Sequence, residues 1–325
     1  MEGDKKNLHD LLRHHGYDED DEPHIAENLA ETSKEVRQRI RALKKLQMES
    51  VKVESKFYEK VHLLEKEFQP LFDEINKRRT AVVTGQHEPS ESECDVPLIH
   101  GASEDLLKKL NEDAPVEGVP SKGIPEFWYH VLNNVAQISD LIHEQDVPIL
   151  KHLQDITVDV HTEPNGFTLN FHFGSNDHFT NSVLTKYYEL QIAPTEDEIF
   201  DYEGPMVVST KGCQIDWKEN MNVTKKVIKK KQKKGSGAGR FITKTVRADS
   251  FFNFFDPVAE TLKDLDETTA ETLRNDFEIG QLIRDQVIPR AVLFFTGEAA
   301  DDFDDFTEDE DEDLEEGSDA ESGDD

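Results

Sequence analysis

The chain predicts an α+β fold: one long helix, then an α/β domain with an antiparallel sheet and flanking helices, then a disordered acidic tail. Three observations carry this reading. From Ser33 to Arg78, 46 residues contain no glycine and a single proline, with apolar residues at helical spacing. Further on, apolar and polar residues alternate with period two between turn signals. Finally, Asp301 to Asp325 holds sixteen Asp or Glu and not one Lys, Arg or His.

Residues 1–30 are polar, with an acidic patch from Asp18 to Glu22, and read as a flexible N-terminal arm. Residues 31–80 form the long helix. Its apolar stripe is Val36, Ile40, Leu43, Leu46, Val53, Phe57, Val61, Leu64 and Phe68, continuing to Leu71 and Ile75, mostly in steps of three or four. At ~1.5 Å per residue such a helix is about 70 Å long. One small domain cannot cover that length, so the stripe predicts a homodimer packed in coiled-coil fashion through this helix. The alternative is a helix folded back on its own domain. Pro70 is expected to kink it, because proline removes a backbone donor and clashes with the preceding turn.

Residues 81–123 read as a loop and short-helix connector. TGQHEPSESECDVPLIHG (84–101) is the loop, Glu104 to Leu110 the short helix, and Pro115 to Pro125 a Pro- and Gly-punctuated link. The main domain, 124–299, opens with a helical pattern from Phe127 to Ile142. Ile156, Val158 and Val160 alternate, PNG turns the chain, and Phe167, Leu169, Phe171 and Phe173 alternate again, which is a hairpin pattern. Strands are expected at Val183–Ile192, Met206–Trp217, Val223–Ile228 and Phe241–Val246. Helical stretches follow near Phe251–Phe255 and over Thr268–Val287, with a last apolar turn from Ala291 to Phe295. Strands followed by helices suit an antiparallel sheet with helices packed on it. Residues 300–325 are the tail.

The formal charge is −33, of which the tail supplies −16, leaving −17 over the first 300 residues. A block of like charge repels itself and stays hydrated, so it reads as an interaction tail for a strongly basic partner. With 35% hydrophobic and 33% charged residues, the chain reads as an elongated body plus disorder. The start, MEGDKKNLHDLLRHH, has no apolar run of the signal-peptide kind, and no stretch nears the ~20 apolar residues of a membrane span. Cys94 and Cys213 are far apart and have no metal or redox spacing, which suits a reducing cytosolic or nuclear compartment. The Asn222-Val223-Thr224 sequon is then a chance match.

Seven lysines cluster at Lys225, Lys226, Lys229, Lys230, Lys231, Lys233 and Lys234, between two strand patterns and so near a hairpin tip. Their density suits a nuclear localisation signal, carried by Lys229, Lys230, Lys231, Lys233 and Lys234, and an import receptor as partner. Contact with DNA phosphate is the weaker reading, since a body of this charge repels a polyanion, and no sequence-specific nucleic-acid binding is expected. GSGAG lacks the GK[ST] ending and precedes a strand, so it reads as a hairpin connection. The histidines show no metal spacing; His161 and His172 lie on neighbouring strands and could pair. No nucleophile motif and no EF-hand loop is present. The chain therefore reads as a binding protein, not an enzyme, with no cofactor and no metal.

Four apolar-aromatic blocks stand out: IPEFWYHVLNN (124–134), CQIDWKENMNVT (213–224), SFFNFFDP (250–257) and IPRAVLFFTGEA (288–299). Each is most simply core, given the area that aromatic rings bury. In order, number and spacing, from the long helix to the tail, they closely resemble the nucleosome assembly protein family of histone chaperones.

That resemblance implies a homodimer through the long helix, with two α/β domains enclosing a concave acidic underside. It implies binding of core histones, notably the 2A–2B dimer, without ATP, in support of nucleosome assembly and histone transport between cytoplasm and nucleus. Matching the blocks places the histone-facing carboxylates at Asp140, Glu144, Asp249, Glu267 and Glu271. The lysine cluster sits where the family carries its import signal. Ser318 and Ser322, set among acids, read as acidophilic kinase sites that would deepen the negative field. The competing reading within the superfamily is an acidic regulator similar to the SET oncoprotein, which inhibits a phosphatase and histone acetylation.

Overall fold

A computed structural model describes residue 29 and residues 31–111, 122–196, 199–231, 241–256 and 267–299. Helix α1 spans Lys34–Val83, 50 residues. Ser33 starts it by accepting a hydrogen bond from Val36 N–H at 3.3 Å, satisfying one of the amides a helix start leaves free. The helix runs unbroken through Pro70.

The two faces of α1 differ in kind. Val36, Leu43, Leu46, Val53, Phe57, Leu64 and Phe68 are exposed, together with Leu63, Leu71, Phe72 and Ile75, while Ile40 and Val61 are half-buried. The opposite face folds back on its own domain, largely through polar groups. Gln69 donates from Nε2 to the Val158 carbonyl at 2.7 Å, and its Oε1 accepts from Val160 N–H at 3.2 Å. His62 Nε2 reaches the His161 carbonyl at 2.6 Å. Thr80 donates to Asp155 Oδ2 at 2.6 Å, and Arg79 reaches Asp155 Oδ1 at 3.4 Å and the Ile288 carbonyl at 2.6 Å. Nearer the start of the helix, Met48, Val51 and Tyr58 pack with Ile199 and Tyr202 of the loop ahead of β4. The helix therefore folds back on its own domain along one face and leaves the apolar stripe of the other exposed.

After α1 come a short 3-10 turn, Glu91–Glu93, and helix α2, Glu104–Asn111. The chain leaves α1 and enters the main domain at one neck, where Gly85 and Gly123 both have positive φ and Ile124 N–H bonds the Val83 carbonyl at 2.9 Å. A Cβ on Gly123 would lie 2.2 Å from that carbonyl oxygen, so only glycine allows the approach.

The domain contains α3 (Phe127–Asn133), α4 (Ala136–Ser139), α5 (Val147–Leu150) and a four-stranded sheet. Its strands are β1 (Leu153–Thr162), β2 (Asn165–Phe173), β3 (Val183–Gln191) and β4 (Met206–Lys211), antiparallel in sequence order. β1 is an edge strand, and the Gln69 amide supplies the donor and acceptor that a fifth strand would have supplied. Val160 pairs with Phe167, Val158 with Leu169 and Ile156 with Phe171. Phe167, Leu169, Phe171, Phe173, Leu184 and Tyr188 turn to the core. There they meet α3, the 3-10 turn Phe251–Phe255, a π-helical turn at Ile283–Val287 and α7 (Ala291–Thr296), with α6 (Glu267–Leu282) leading into the π turn. Phe171 lies edge-on to Phe255 with centroids 5.1 Å apart, and Phe252 edge-on to Trp217 at 5.6 Å.

Several boundaries differ from expectation. The helix expected over Phe127–Ile142 stops at Asn133, where Asn134 caps it, and resumes only as the single turn α4. The strand expected to reach Trp217 ends at Lys211, just before Gly212, and Trp217 instead bridges to Phe179. His161 and His172 do not pair. They bond Thr168 at 2.7 Å and Thr157 at 3.0 Å, diagonally across the polar face of the hairpin. Strand β5, Lys225–Lys231, pairs with β6, Phe241–Arg247, so Lys229, Lys230 and Lys231 lie within a strand rather than at the tip. Lys233 and Lys234 fall outside the described residues, as do the acidic tail and nearly all of the N-terminal arm.

Candidate functional site

The site is built around a carboxylate that the sequence does not single out. Asp146 is fully buried. Its Oδ1 accepts from the Ser250 hydroxyl at 2.6 Å, and its Oδ2 accepts from Phe251 N–H at 2.8 Å and His143 N–H at 3.1 Å. Ser250 also caps the Phe251–Phe255 turn, its oxygen receiving Phe252 N–H at 3.1 Å. Beside this clasp, Gln145 donates from Nε2 to the Asp249 carbonyl at 2.7 Å. Two loops far apart in sequence are thereby held together: 140–146, after α4, and 248–251, after β6.

These loops carry Asp140, Glu144 and Asp249, and all three side chains are exposed. The buried acid fixes the backbone while its neighbours keep their charge in water, where a long-range field acts without a desolvation cost.

Helix α6 supplies the third wall. Asp276 on it accepts from Lys186 Nζ at 2.7 Å, and its backbone carbonyl accepts from the Tyr188 hydroxyl at 2.9 Å. Lys186 is itself almost fully buried on β3 and also bonds the Phe254 carbonyl at 2.8 Å. Burial pushes the Lys186 ammonium down and the Asp276 carboxyl up, and each opposes the other's shift through their mutual attraction. This pair, with Leu273 buried beneath the helix, locks α6 onto the sheet and the phenylalanine turn. Glu271 is exposed on α6, and the backbone of Glu267 opens that helix. A cavity of about 200 Å³ lies where the three segments meet, lined in part by Leu141, Ser250, Phe251, Phe254, Leu273 and Ile279.

All five expected carboxylates thus belong to segments that converge on one cavity, Glu267 by its backbone position alone. Asp146 was missed, although its place directly before the Val-Pro that opens α5 is a helix-start signal. Among the described residues no group of three His, Cys, Asp or Glu could hold a metal ion, and no helix is long and apolar enough to cross a membrane.

Comparison with known proteins places the whole assembly in context. The family model described as nucleosome assembly protein (NAP) matches residues 38–298. Human nucleosome assembly protein 1-like 4 is 45% identical over 305 residues, covering 90% of this chain and 81% of the relative. Nucleosome assembly protein 1-like 1 of Xenopus tropicalis is 46% identical over 284 residues, covering 84% and 72% respectively. Among solved structures, nucleosome assembly protein 1 from Plasmodium knowlesi superposes with a TM-score of 0.50 at 28% identity, over 82% of this chain and 99% of that one. Spanned by the family model and by relatives over most of its length, the chain belongs to the nucleosome assembly protein family.

Proposed function

We propose that this protein is a histone chaperone that binds core histones, notably the 2A–2B dimer, shields them from unproductive DNA contacts and promotes nucleosome assembly without ATP. The observation that carries the proposal is the Asp146 clasp. It presents Asp140, Glu144 and Asp249 on two loops beside the α6 face that bears Glu271, in a chain of formal charge −33.

Free histones bind DNA through lysine and arginine contacts that release counterions, a sequence-independent attraction that forms wrong complexes readily. A rigid acidic face competes for those cations with fixed geometry, and the acidic tail adds a field that speeds encounter. No bond is made or broken in this scheme. The exposed stripe of α1 is read as the homodimer seam, because a row of large apolar side chains in water is costly until covered. Lys229, Lys230, Lys231, Lys233 and Lys234 serve as the import signal, which fits a carrier moving between cytoplasm and nucleus.

Charge reversal at Asp140, Asp249 and Glu271 to Lys tests the site. The proposal expects at least a tenfold loss of 2A–2B affinity at physiological salt with the melting temperature preserved. Unchanged affinity in the folded triple variant would remove the site.

A further inference from the structure

The cavity bounded by Leu141, the Phe251–Phe255 turn and α6 combines an apolar interior with a charged surround. Leu141 is 37% exposed at its edge, while Phe251, Phe254 and Leu273 form a floor that is almost entirely buried. Asp256 lines it, and Asp140, Asp249 and Glu271 directly adjoin the lining residues Leu141, Ser250 and Thr272. Asp276 lines it too, paired with the buried Lys186, and the other cations nearby are Arg247 on the wall and Arg274 beside Leu273. Acids outnumber bases around an opening whose interior is hydrocarbon.

Two larger clefts among the described residues lack this combination. One of about 700 Å³ beside β4 and the foot of the β5–β6 hairpin shares Asp256 but adds Lys211 and Lys225, a balance of the wrong sign for a basic cargo. The one between α1 and the outer face of β1, about 450 Å³, holds Asp73, Asp155 and Asp159, but Val158 is the one apolar residue in its lining and Asp155 is already engaged by Thr80 and Arg79.

We infer that the cavity beside Leu141 is an anchor pocket: it takes one apolar side chain from a histone segment whose neighbouring residues are Lys or Arg. The inference rests on the chaperone reading and adds to it a division of labour. The surrounding carboxylates attract the segment and orient it, and the hydrocarbon floor holds it in one register. A purely acidic surface would bind any polycation in many registers, whereas a pocket of about 200 Å³ admits a single side chain and so selects among basic sequences. Charge attraction is screened as salt rises, but apolar burial is not, so the two contributions separate experimentally.

The test is titration of labelled histone 2A–2B dimer into the full-length protein at several salt concentrations. Two variants are compared with the parent: Leu141→Gln, which makes the pocket edge polar, and Asn275→Trp, which places an indole at an exposed lining position. Both positions lie at the surface, and thermal melts verify the fold. The inference expects each variant to lose roughly tenfold in affinity at every salt concentration, the scale of one buried aliphatic side chain. It also expects the Asp140, Asp249 and Glu271 reversals to lose less as salt rises. Calorimetry should show a less negative heat-capacity change for Leu141→Gln than for the parent. If the folded parent fails to hold the histone dimer at physiological salt, the chaperone reading itself falls. If the parent binds and both variants match it at every salt, the pocket is no part of the interface and this inference alone is overturned.

Discussion

Ser250 donates its hydroxyl proton to Asp146 Oδ1 across 2.6 Å, although 104 positions separate the two residues in the chain. The bond lies in the interior, and Phe251 N–H and His143 N–H complete the set around the same carboxylate. A buried carboxylate with three donors is stable only as a unit, since each donor left without its partner costs about 1–3 kcal/mol.

Asp146→Ala is therefore expected to destabilise the domain by about 3 kcal/mol or more, as it orphans the Ser250 hydroxyl and two backbone amides together. Ser250→Ala should cost less, about 1–2 kcal/mol, because Asp146 keeps its two backbone donors. Denaturant unfolding measures both. Histone affinity should fall with Asp146→Ala even where most molecules remain folded, because Asp140 and Asp249 then lose their common frame.

Gln69 closes the edge of the sheet. Gln69→Ala leaves the Val158 carbonyl and Val160 amide without their partner, and should lower stability by about 1–2 kcal/mol. Amide hydrogen exchange gives the sharper reading: Val160 should exchange faster in the variant, while Leu169 on the interior strand β2 keeps its protection.

The connector holds a carboxylate whose hydrogen bonds keep it ionised. Glu93 accepts from both the backbone N–H and the hydroxyl of Ser90, at 2.9 and 2.8 Å, and lies 2.9 Å from His87. The Ser90 backbone bond, the Ser90 hydroxyl and His87, in that order, draw its pKa down from 4.5 to about 2. A depressed carboxylate supports the folded turn fully above the unfolded value near 4.5, and that support fades as pH falls through about 2. The Ser90 amide resonance should titrate with a midpoint near 2. Because the group is solvent-exposed, the melting temperature of the main domain should not follow it.

The apolar stripe of α1 makes a prediction about mass. Val53 and Phe57 are 68% and 61% exposed, one helical turn apart. If they form the homodimer seam, Val53→Glu with Phe57→Glu buries like charges against each other across it. Sedimentation equilibrium should then give the monomer mass for the double variant and twice that mass for the parent.

How far the sequence could be read depended on which physical signal each feature leaves. The α1 stripe is legible because large apolar residues at helical spacing leave a strong period. Its other face is not, because Gln69, His62, Thr80 and Arg79 act through hydrogen bonds to one strand and leave no periodicity. The hairpin of β1 and β2 was legible from strict alternation around the Pro-Asn-Gly turn. The end of β4 was not, since apolar residues continue to Trp217 after Gly212 breaks the ladder. The exposed carboxylates came from the family resemblance, because an isolated acid on a surface carries no signal of its own. Asp146 sits in the stretch His-Glu-Gln-Asp, where the following Val-Pro marks only a helix start, and its role as a buried clasp arises when Ser250 arrives from the other end of the domain.

Whether the protein chaperones histones is decided by fluorescence titration of labelled histone 2A–2B dimer with this protein at physiological salt, with DNA present in excess as competitor. A chaperone binds tightly and saturably and draws the histone dimer off non-nucleosomal DNA. Histone that stays on the DNA, with a residual signal abolished by modest added salt, would show nonspecific attraction between opposite charges and contradict the chaperone reading.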